Sequence, residues 1–182
     1  TILCNILLTP ERDNPMAKEK KVYLTPEGRL INHSLFELDQ YIPRKGTPGT
    51  PAYKVELAFP KGTLDDLFNK CLDFAVEEWG KGADDSVIVP IKEGDETAGK
   101  RGKAEKDGDA YAGMDVIRAS TIFNRDGQKG PGGVQVFDLD KAEINFATRA
   151  EIYQGCMGIA AISMSGYVDE KTGNNAITFY LE

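Results

Sequence analysis

The side chains that most often carry catalysis or bind metals are sparse and scattered in this sequence. His33 is its only histidine, and the three cysteines, Cys4, Cys71 and Cys156, lie far apart. A structural zinc site gathers about four such ligands, and an activated serine or cysteine needs a base beside it. Neither arrangement has support here, so we predict no catalytic residue and no bound metal. Odd, widely separated cysteines also favour a reducing compartment.

Acidic clusters and a glycine-rich loop raise two further possibilities, metal-dependent hydrolysis and nucleotide binding. Asp84 and Asp85, together with the EGDE cluster at 93–96, are the best acidic candidates for a metal-dependent nuclease or phosphatase. Charge runs in loops are more often solvated surface, so this remains a minor alternative. The loop 127–133 (GQKGPGG) lacks the Gly-Lys-Ser/Thr ending with which a phosphate loop holds nucleotide and magnesium. A nucleoside triphosphatase is therefore rejected.

Basic residues close to aromatic residues form the pattern with the clearest chemistry. Single-strand nucleic-acid binders need both types, because cations neutralise phosphates and aromatic faces stack bases without regard to sequence. The predicted phosphate contacts are Lys54, Arg118, Arg125 and Lys171, with Lys100, Arg101 and Lys103 from a basic loop. The predicted stacking residues are Tyr111, Phe123, Tyr153 and Tyr167, with Tyr180 in reserve. Tyr53, Phe59 and Trp79 fit core positions better.

The charge of the chain is uneven. The formal net charge is −7, from 22 basic and 29 acidic residues, which argues against coating duplex nucleic acid by bulk charge. Yet the segment 99–106 holds four basic residues and one acidic residue, whereas 63–79 holds five acidic residues and one basic residue. A bipolar surface can still present a basic face. No apolar run reaches the length of a membrane span, and 1–9 lacks the features of a signal peptide.

Alternating apolar residues predict most of the elements that would position such a site. Tyr53, Val55, Leu57 and Phe59 share one strand face, and Ile177, Phe179 and Leu181 share another. The predicted strands cover 29–38, 53–59, 87–91, 114–121, 134–139, 152–165 and 176–181, with loops at 92–109 and 122–133 and a hairpin turn at 169–174. Segment 141–149 fits either a helical turn or a strand.

One long helix is predicted after the strand that ends at Pro60. Thr63 is the expected N-cap, with Asp65 and Asp66 in the first turn. Its apolar stripe consists of Leu64, Leu67, Phe68, Cys71, Leu72, Ala75 and Trp79. Gly80 and Gly82 end the helix.

These elements predict a mainly β protein with one main α-helix. Five or more strands with one helix suggest a small closed or partly open barrel, of which the OB fold is one example, but the position of the helix does not match that fold perfectly and the strand count alone does not select it. We expect 1–21 to be an N-terminal extension or edge segment and 22–182 to form a single domain.

The order of several short segments resembles a known family. They are Leu57–Lys61 (LAFPK), Lys92–Asp95 (KEGD), Tyr111–Gly113 (YAG) and Tyr153–Cys156 (YQGC), followed by a final NNAITF hairpin. In this order, from Val22 to Leu181, the chain resembles the phage-encoded single-stranded DNA-binding proteins with an OB fold. The segments are structural landmarks rather than catalytic signatures.

The resemblance implies that 22–182 form a single OB-fold-like domain, a five-stranded β-barrel with long loop insertions, and that it binds single-stranded DNA with little sequence preference. It also implies a role in phage DNA replication and recombination in the cytoplasm of the infected bacterial host, without enzymatic activity or a cofactor. Phage or host replication proteins are the implied further partners, with no membrane, and a homodimer is one candidate assembly. The alternative from another class is a phage protein–protein interaction or accessory module that does not bind nucleic acid.

Overall fold

The computed structural model describes residues 20–40, 42, 47–94 and 111–182. The strands are β1 (Val22–Leu24), β2 (Gly28–Asp39), β3 (Ala52–Pro60), β4 (Ile91–Glu93), β5 (Met114–Thr121), β6 (Met157–Gly158), β7 (Ala161–Val168) and β8 (Asn175–Leu181). The α-helix α1 spans Asp65–Trp79, and short 3-10 helices cover Ala83–Asp85 and Arg149–Glu151. Of the predicted extension 1–21, only Lys20 and Lys21 lie within the described residues. None of the helices among the described residues is long and apolar enough to cross a membrane.

The eight strands form one curled sheet in the order β1-β7-β8-β5-β3-β2-β6, with β4 also on β5. Only β5 and β8 pair in parallel; the other pairs are antiparallel. The mainly β, OB-like fold with one helix is confirmed.

The eight strands occupy five positions around the sheet, which reconciles their number with the predicted five-stranded barrel. β1 pairs with β7, and β2 pairs with β6. Since β2 follows β1 in the chain and β7 follows β6, the two pairs together form one interrupted pair of strands. Thr25 bridges the two ladders, since its N–H donates to the carbonyl of Ala160 at 2.9 Å and its hydroxyl accepts from the Ala160 N–H. β4 and β8 likewise share one edge of β5. The predicted barrel positions are therefore present, but three of them are built from two shorter strands.

Every second residue of β3 points to the face of the sheet that covers the core. Tyr53, Val55, Leu57 and Phe59 are all buried in one cluster, as predicted. Phe59 packs against the bare backbone of Gly28, where an added Cβ would lie 2.4 Å from its ring. Ile177, Phe179 and Leu181 of β8 face the same core.

Helix α1 covers this core through Leu67, Cys71 and Ala75. Burial raises the pKa of the Cys71 thiol to about 12, so this cysteine stays protonated and inert at neutral pH. The predicted cap was wrong: the N-cap residue is Leu64, whose hydrocarbon side chain cannot accept a hydrogen bond, and Thr63 lies in the preceding turn, where its N–H donates to the Pro60 carbonyl.

The two aromatic residues of the predicted helix stripe differ in their exposure. Phe68 is 42% exposed, so the prediction that it belongs to the buried stripe was wrong. Trp79 is partly buried, as expected of a core residue, and it packs against Gly166 and edge-on against Phe74.

Three predicted strands differ from the structure. The predicted strand 152–165 is interrupted, because a turn at Tyr153–Cys156 and a break after Gly158 leave only β6 and β7. Segment 134–139 forms no strand ladder, but Val134 donates its N–H to the Leu35 carbonyl, and Val136 and Asp138 form backbone hydrogen bonds with 142–144 around a bridge between Phe137 and Glu143. Segment 87–91 contributes one bridge, at Ile88, and the first residue of β4. The predicted loop 92–109 lies largely outside the described residues.

Candidate nucleic-acid interface

The outer face of the sheet carries two rows of polar residues that run across the strands. One row joins Ser34, Lys54, Ser120 and Tyr180 on β2, β3, β5 and β8. The other joins Asn32, Glu56 and Arg118. Paired residues on adjacent strands point to the same face, and neighbouring strands lie about 4.8 Å apart. Lys54 and Tyr180, two strands apart, are therefore held about 10 Å from one another on one surface.

A buried carboxylate holds Arg118 in place. Glu56 is only 5% exposed, and its carboxylate accepts a hydrogen bond from Arg118 Nε at 2.9 Å and another from Arg118 Nη2. The Tyr111 hydroxyl donates to the same carboxylate at 3.3 Å. The Arg118 side chain is 57% exposed, so its guanidinium is fixed at one edge and presented to solvent at the other.

Tyr111 is consequently not the stacking residue that the sequence predicted. Its ring is buried with Ile31, Ala58 and Val116 on the outer side of the sheet. It serves the site indirectly, through its hydrogen bond to Glu56.

Lys54 and Arg118 line one cleft, which we call the Arg118 cleft. It has a volume of about 610 Å³, and Asn32, Ser34 and Glu37 are also in its wall. Lys54 Nζ lies 2.9 Å from a carboxylate oxygen of Asp39. His33 lines the cleft too, and burial lowers its pKa, so the imidazole is neutral at neutral pH and adds no charge there.

A second cleft, the Tyr180 cleft, brings together aromatic and basic residues that are distant in sequence. It has a volume of about 760 Å³ and is lined by Phe123, Arg125, Tyr180 and Lys20. Phe123 is 47% exposed and Tyr180 42%. The ammonium of Lys20 lies 5.9 Å from the centre of the Tyr180 ring. Two half-exposed rings with two cations beside them are the components that stack bases and neutralise phosphates.

The loop that carries Phe123 and Arg125 is tied to the core. Asn124 Oδ1 accepts the N–H groups of Asp126 and Gln128, each at 3.0 Å, and the Arg125 N–H donates to the Gly133 carbonyl at 2.7 Å. The buried Tyr53 hydroxyl donates to the Gly130 carbonyl at 2.6 Å and accepts the Gly133 N–H at 3.1 Å. The loop predicted at 122–133 is thus confirmed.

A third cleft, the Phe146 cleft, was not predicted from the sequence. It has a volume of about 550 Å³ and mainly apolar walls, including Phe36 and Phe146. The guanidinium of Arg149 lies 3.6 Å from the centre of the Phe146 ring. The signal in the sequence was an aromatic residue three positions before an arginine, within the segment 141–149 that fitted no single element.

The three clefts are neighbours, since they share wall residues. The Phe146 and Tyr180 clefts share Arg125 and Val134. The Phe146 and Arg118 clefts share Glu37 and Leu38. Arg125 therefore stands on the wall between two clefts, within reach of a ligand in either.

Several predicted site residues lie elsewhere or outside the described residues. Tyr153, Tyr167 and Lys171 are exposed, but none lines any of the three clefts. Lys171 lies in the hairpin turn between β7 and β8, whose predicted position is confirmed by the bond from the Asp169 N–H to the Asn174 carbonyl. Lys100, Arg101 and Lys103 lie outside the described residues.

Each of four cations in these clefts is paired with a carboxylate of the same chain. Lys54 pairs with Asp39, Arg118 with Glu56, Arg125 with Glu143, and Lys20 with Glu182. The hydrogen bond from Arg125 Nη1 to Glu143, at 2.5 Å, and then the charge of Glu143, raise the pKa of the Arg125 guanidinium. Except for Glu56, these carboxylates are accessible to solvent, so an arriving phosphate can replace them.

The acidic clusters of the sequence do not assemble a metal site in the described part of the chain. No group of three or more His, Cys, Asp or Glu side chains there is arranged to hold an ion. Asp84 and Asp85 lie in the first 3-10 helix, and Glu93 ends β4. Asp95 and Glu96, the rest of the EGDE cluster, lie outside the described residues.

Solved structures with a similar fold are single-stranded DNA-binding proteins of bacteriophages. The protein from bacteriophage Enc34, in complex with single-stranded DNA, has a TM-score of 0.54 and 20% identity, over 88% of this chain and 82% of that chain. The gp2.5 protein encoded by bacteriophage T7 has a TM-score of 0.55 and 17% identity, over 91% of this chain and 90% of that chain. At these identities the likeness establishes a shared fold. No protein-family model and no curated protein sequence matches the chain.

Proposed function

We propose that this protein binds single-stranded DNA without sequence preference and acts in phage DNA replication and recombination. The observation that carries the proposal is the Tyr180 cleft, where two half-exposed aromatic rings lie beside Arg125 and Lys20. The shared fold with two phage single-stranded DNA-binding proteins supports it. The site of action is the cytoplasm of the infected bacterial host.

In this function the protein's own carboxylates hold the cations until DNA arrives. Phosphates replace Asp39, Glu143 and Glu182 on their partners, while bases stack on Phe123 and Tyr180. The negative net charge is compatible with this, because the relevant cations line the clefts rather than cover the surface. No bond is made or broken, so the role is that of a binding protein rather than an enzyme.

The functional consequence of this proposal is the destabilisation of duplex DNA. A protein that binds single strands and not duplexes lowers the duplex melting temperature by mass action. We expect saturating protein to lower the melting temperature of an AT-rich duplex, measured by absorbance, and added salt to weaken the effect. An unchanged melting temperature would favour an interaction module instead. Magnesium-dependent shortening of the strands would identify a nuclease.

Arg118 gives a prediction about phosphate contact. Replacing it with alanine is expected to weaken binding to all single-strand sequences alike and to reduce the slope of log affinity against log salt by about 0.7, the value of one phosphate on a single strand. The measurement is fluorescence anisotropy of a labelled oligo-dT over a salt series. Lys81→Ala removes an exposed cation outside the three clefts and should leave the slope unchanged. An unchanged slope for Arg118→Ala would remove Arg118 from the site.

For a substitution of Glu143 we expect the opposite effect, an increase in affinity for single-stranded DNA. Replacing it with glutamine frees Arg125 for phosphate, so we expect binding of oligo-dT to become about two- to five-fold tighter, the range of an exposed ion pair. The gain should shrink as salt rises, because salt screens both interactions. Glu151→Gln makes the same charge change outside the clefts. An equal gain in both variants would show that net charge, and not the pair with Arg125, is responsible.

A further inference from the structure

We infer that the Phe146 cleft is a second base-stacking site, in which an unpaired nucleobase lies on Phe146 and its phosphate on Arg125. This inference rests on the proposed function and extends it to a cleft that the sequence analysis did not include. Its occupant is the same DNA strand that fills the Tyr180 cleft.

The Phe146 ring is open on the side that faces the cleft. The ring is 50% exposed and lines the cleft, whereas Arg149, whose guanidinium covers the ring at 3.6 Å, does not line it. The guanidinium of Arg149 is oriented by a hydrogen bond from its Nη1 to the Phe146 carbonyl. One face of the ring is thus occupied by a cation, and the other is available to a base, with positive charge nearby for the backbone.

Continuity with the Tyr180 cleft favours DNA over other occupants. Arg125 lines both clefts, and its side chain is 34% exposed between them. A phosphate on Arg125 would have one neighbouring base on the Phe123 side and the next on the Phe146 side. A strand that extends from the first cleft to the second would therefore pass Arg125.

The walls of the Phe146 cleft suit a flat, partly polar ligand. Phe36, Leu38, Val134 and Ile144 supply apolar contact. Asn145 is the uncharged polar side chain of the wall, beside the charged Glu37 and Arg125, and its Oδ1 already accepts the Ala147 N–H at 2.8 Å. The amide nitrogen of Asn145 is the end of that side chain left to meet a base edge.

The test combines one substitution series with one crosslinking measurement. Phe146→Ala removes the ring, Phe146→Leu keeps apolar bulk without a π face, and Phe146→Tyr restores the ring. Phe68→Ala, which removes a ring of similar exposure on α1, is the matched control. The probe is a dT oligonucleotide of about 16 nucleotides, the upper end of the site size of one OB fold. A version that contains 5-iododeoxyuridine is crosslinked by light, and the attached peptide is identified by mass spectrometry.

We expect Phe146→Ala and Phe146→Leu to weaken binding roughly 5- to 100-fold, the loss of one stacked base, while Phe146→Tyr and Phe68→Ala bind as the parent does. Crosslinks should fall on Phe146 as well as on Phe123 or Tyr180. Parent-like binding by Phe146→Ala, with crosslinks confined to the Tyr180 cleft, would overturn this inference and leave the proposed function intact. A parent protein that binds no oligonucleotide would overturn both.

If Phe146→Leu bound DNA like the parent while Phe146→Ala did not, the inference would also be overturned, because apolar packing and not stacking would then explain the loss in Phe146→Ala. Thermal unfolding followed by circular dichroism shows whether each variant is folded. A variant-dependent change in oligomeric state, without any Phe146 crosslink, would assign the cleft to a second copy of the chain and contradict the inference.

Discussion

Replacing both Phe123 and Tyr180 with alanine is expected to reduce the affinity for oligo-dT about 30- to 1,000-fold, or roughly 2–4 kcal/mol. Each ring provides a stacking face of the Tyr180 cleft, and both are too exposed to be needed for the core. Because the two rings share one cleft, the double loss should be smaller than the sum of the single losses. Fluorescence anisotropy with labelled oligo-dT gives all three affinities.

The matched control removes two rings of the same kinds that lie outside the clefts. Phe68→Ala combined with Tyr153→Ala changes residues that are 42% and 58% exposed. The account predicts parent-like binding for this pair. Equal losses in the two double variants would mean that exposed rings contribute by general surface chemistry and that the Tyr180 cleft has no special role.

The second large effect concerns stability. Phe59→Ala is expected to lower the free energy of unfolding by about 3–5 kcal/mol, because it opens a cavity at a fully buried ring that packs on Gly28. Single domains have only about 5–15 kcal/mol in total, so this one substitution should remove a large fraction of the stability. Urea denaturation followed by circular dichroism measures the change.

Phe68→Ala again provides the comparison, since the same ring is lost from an exposed position of α1. Its cost should stay within about 0.5 kcal/mol. A cost below about 1 kcal/mol for Phe59→Ala would contradict the assignment of Phe59 to the centre of the core.

Local sequence patterns predicted three strands nearly at their observed bounds. β3 and β8 alternate apolar and polar residues with a period of two, whereas β5 was predicted from the aromatic, glycine and β-branched residues of 111–121. The interruption between β6 and β7 was not predictable in this way. It depends on the pairing of 22–29 with 157–163, whose paired residues are between 128 (Arg29 and Met157) and 141 (Val22 and Ser163) positions apart.

Proximity in sequence was a poor guide to the site within strands and a good one in loops. Tyr53 and Lys54 are neighbours, yet the period of two places the ring in the core and the ammonium on the outer face. Phe123 and Arg125, two positions apart in a loop, do line the same cleft. The partners of the cations, such as Glu56 for Arg118 and Glu143 for Arg125, follow from tertiary contacts that no local pattern encodes.

The most direct test of single-strand binding is fluorescence anisotropy of a labelled oligo-dT and of a duplex of the same length, at about 50 mM and about 200 mM salt. The account predicts tight binding to oligo-dT that weakens with salt, and much weaker binding to the duplex. A label on the DNA is preferable to intrinsic fluorescence, because Trp79 packs against the core and lies away from the clefts. Equal affinity for both forms, or binding to neither at the lower salt concentration, would contradict the account.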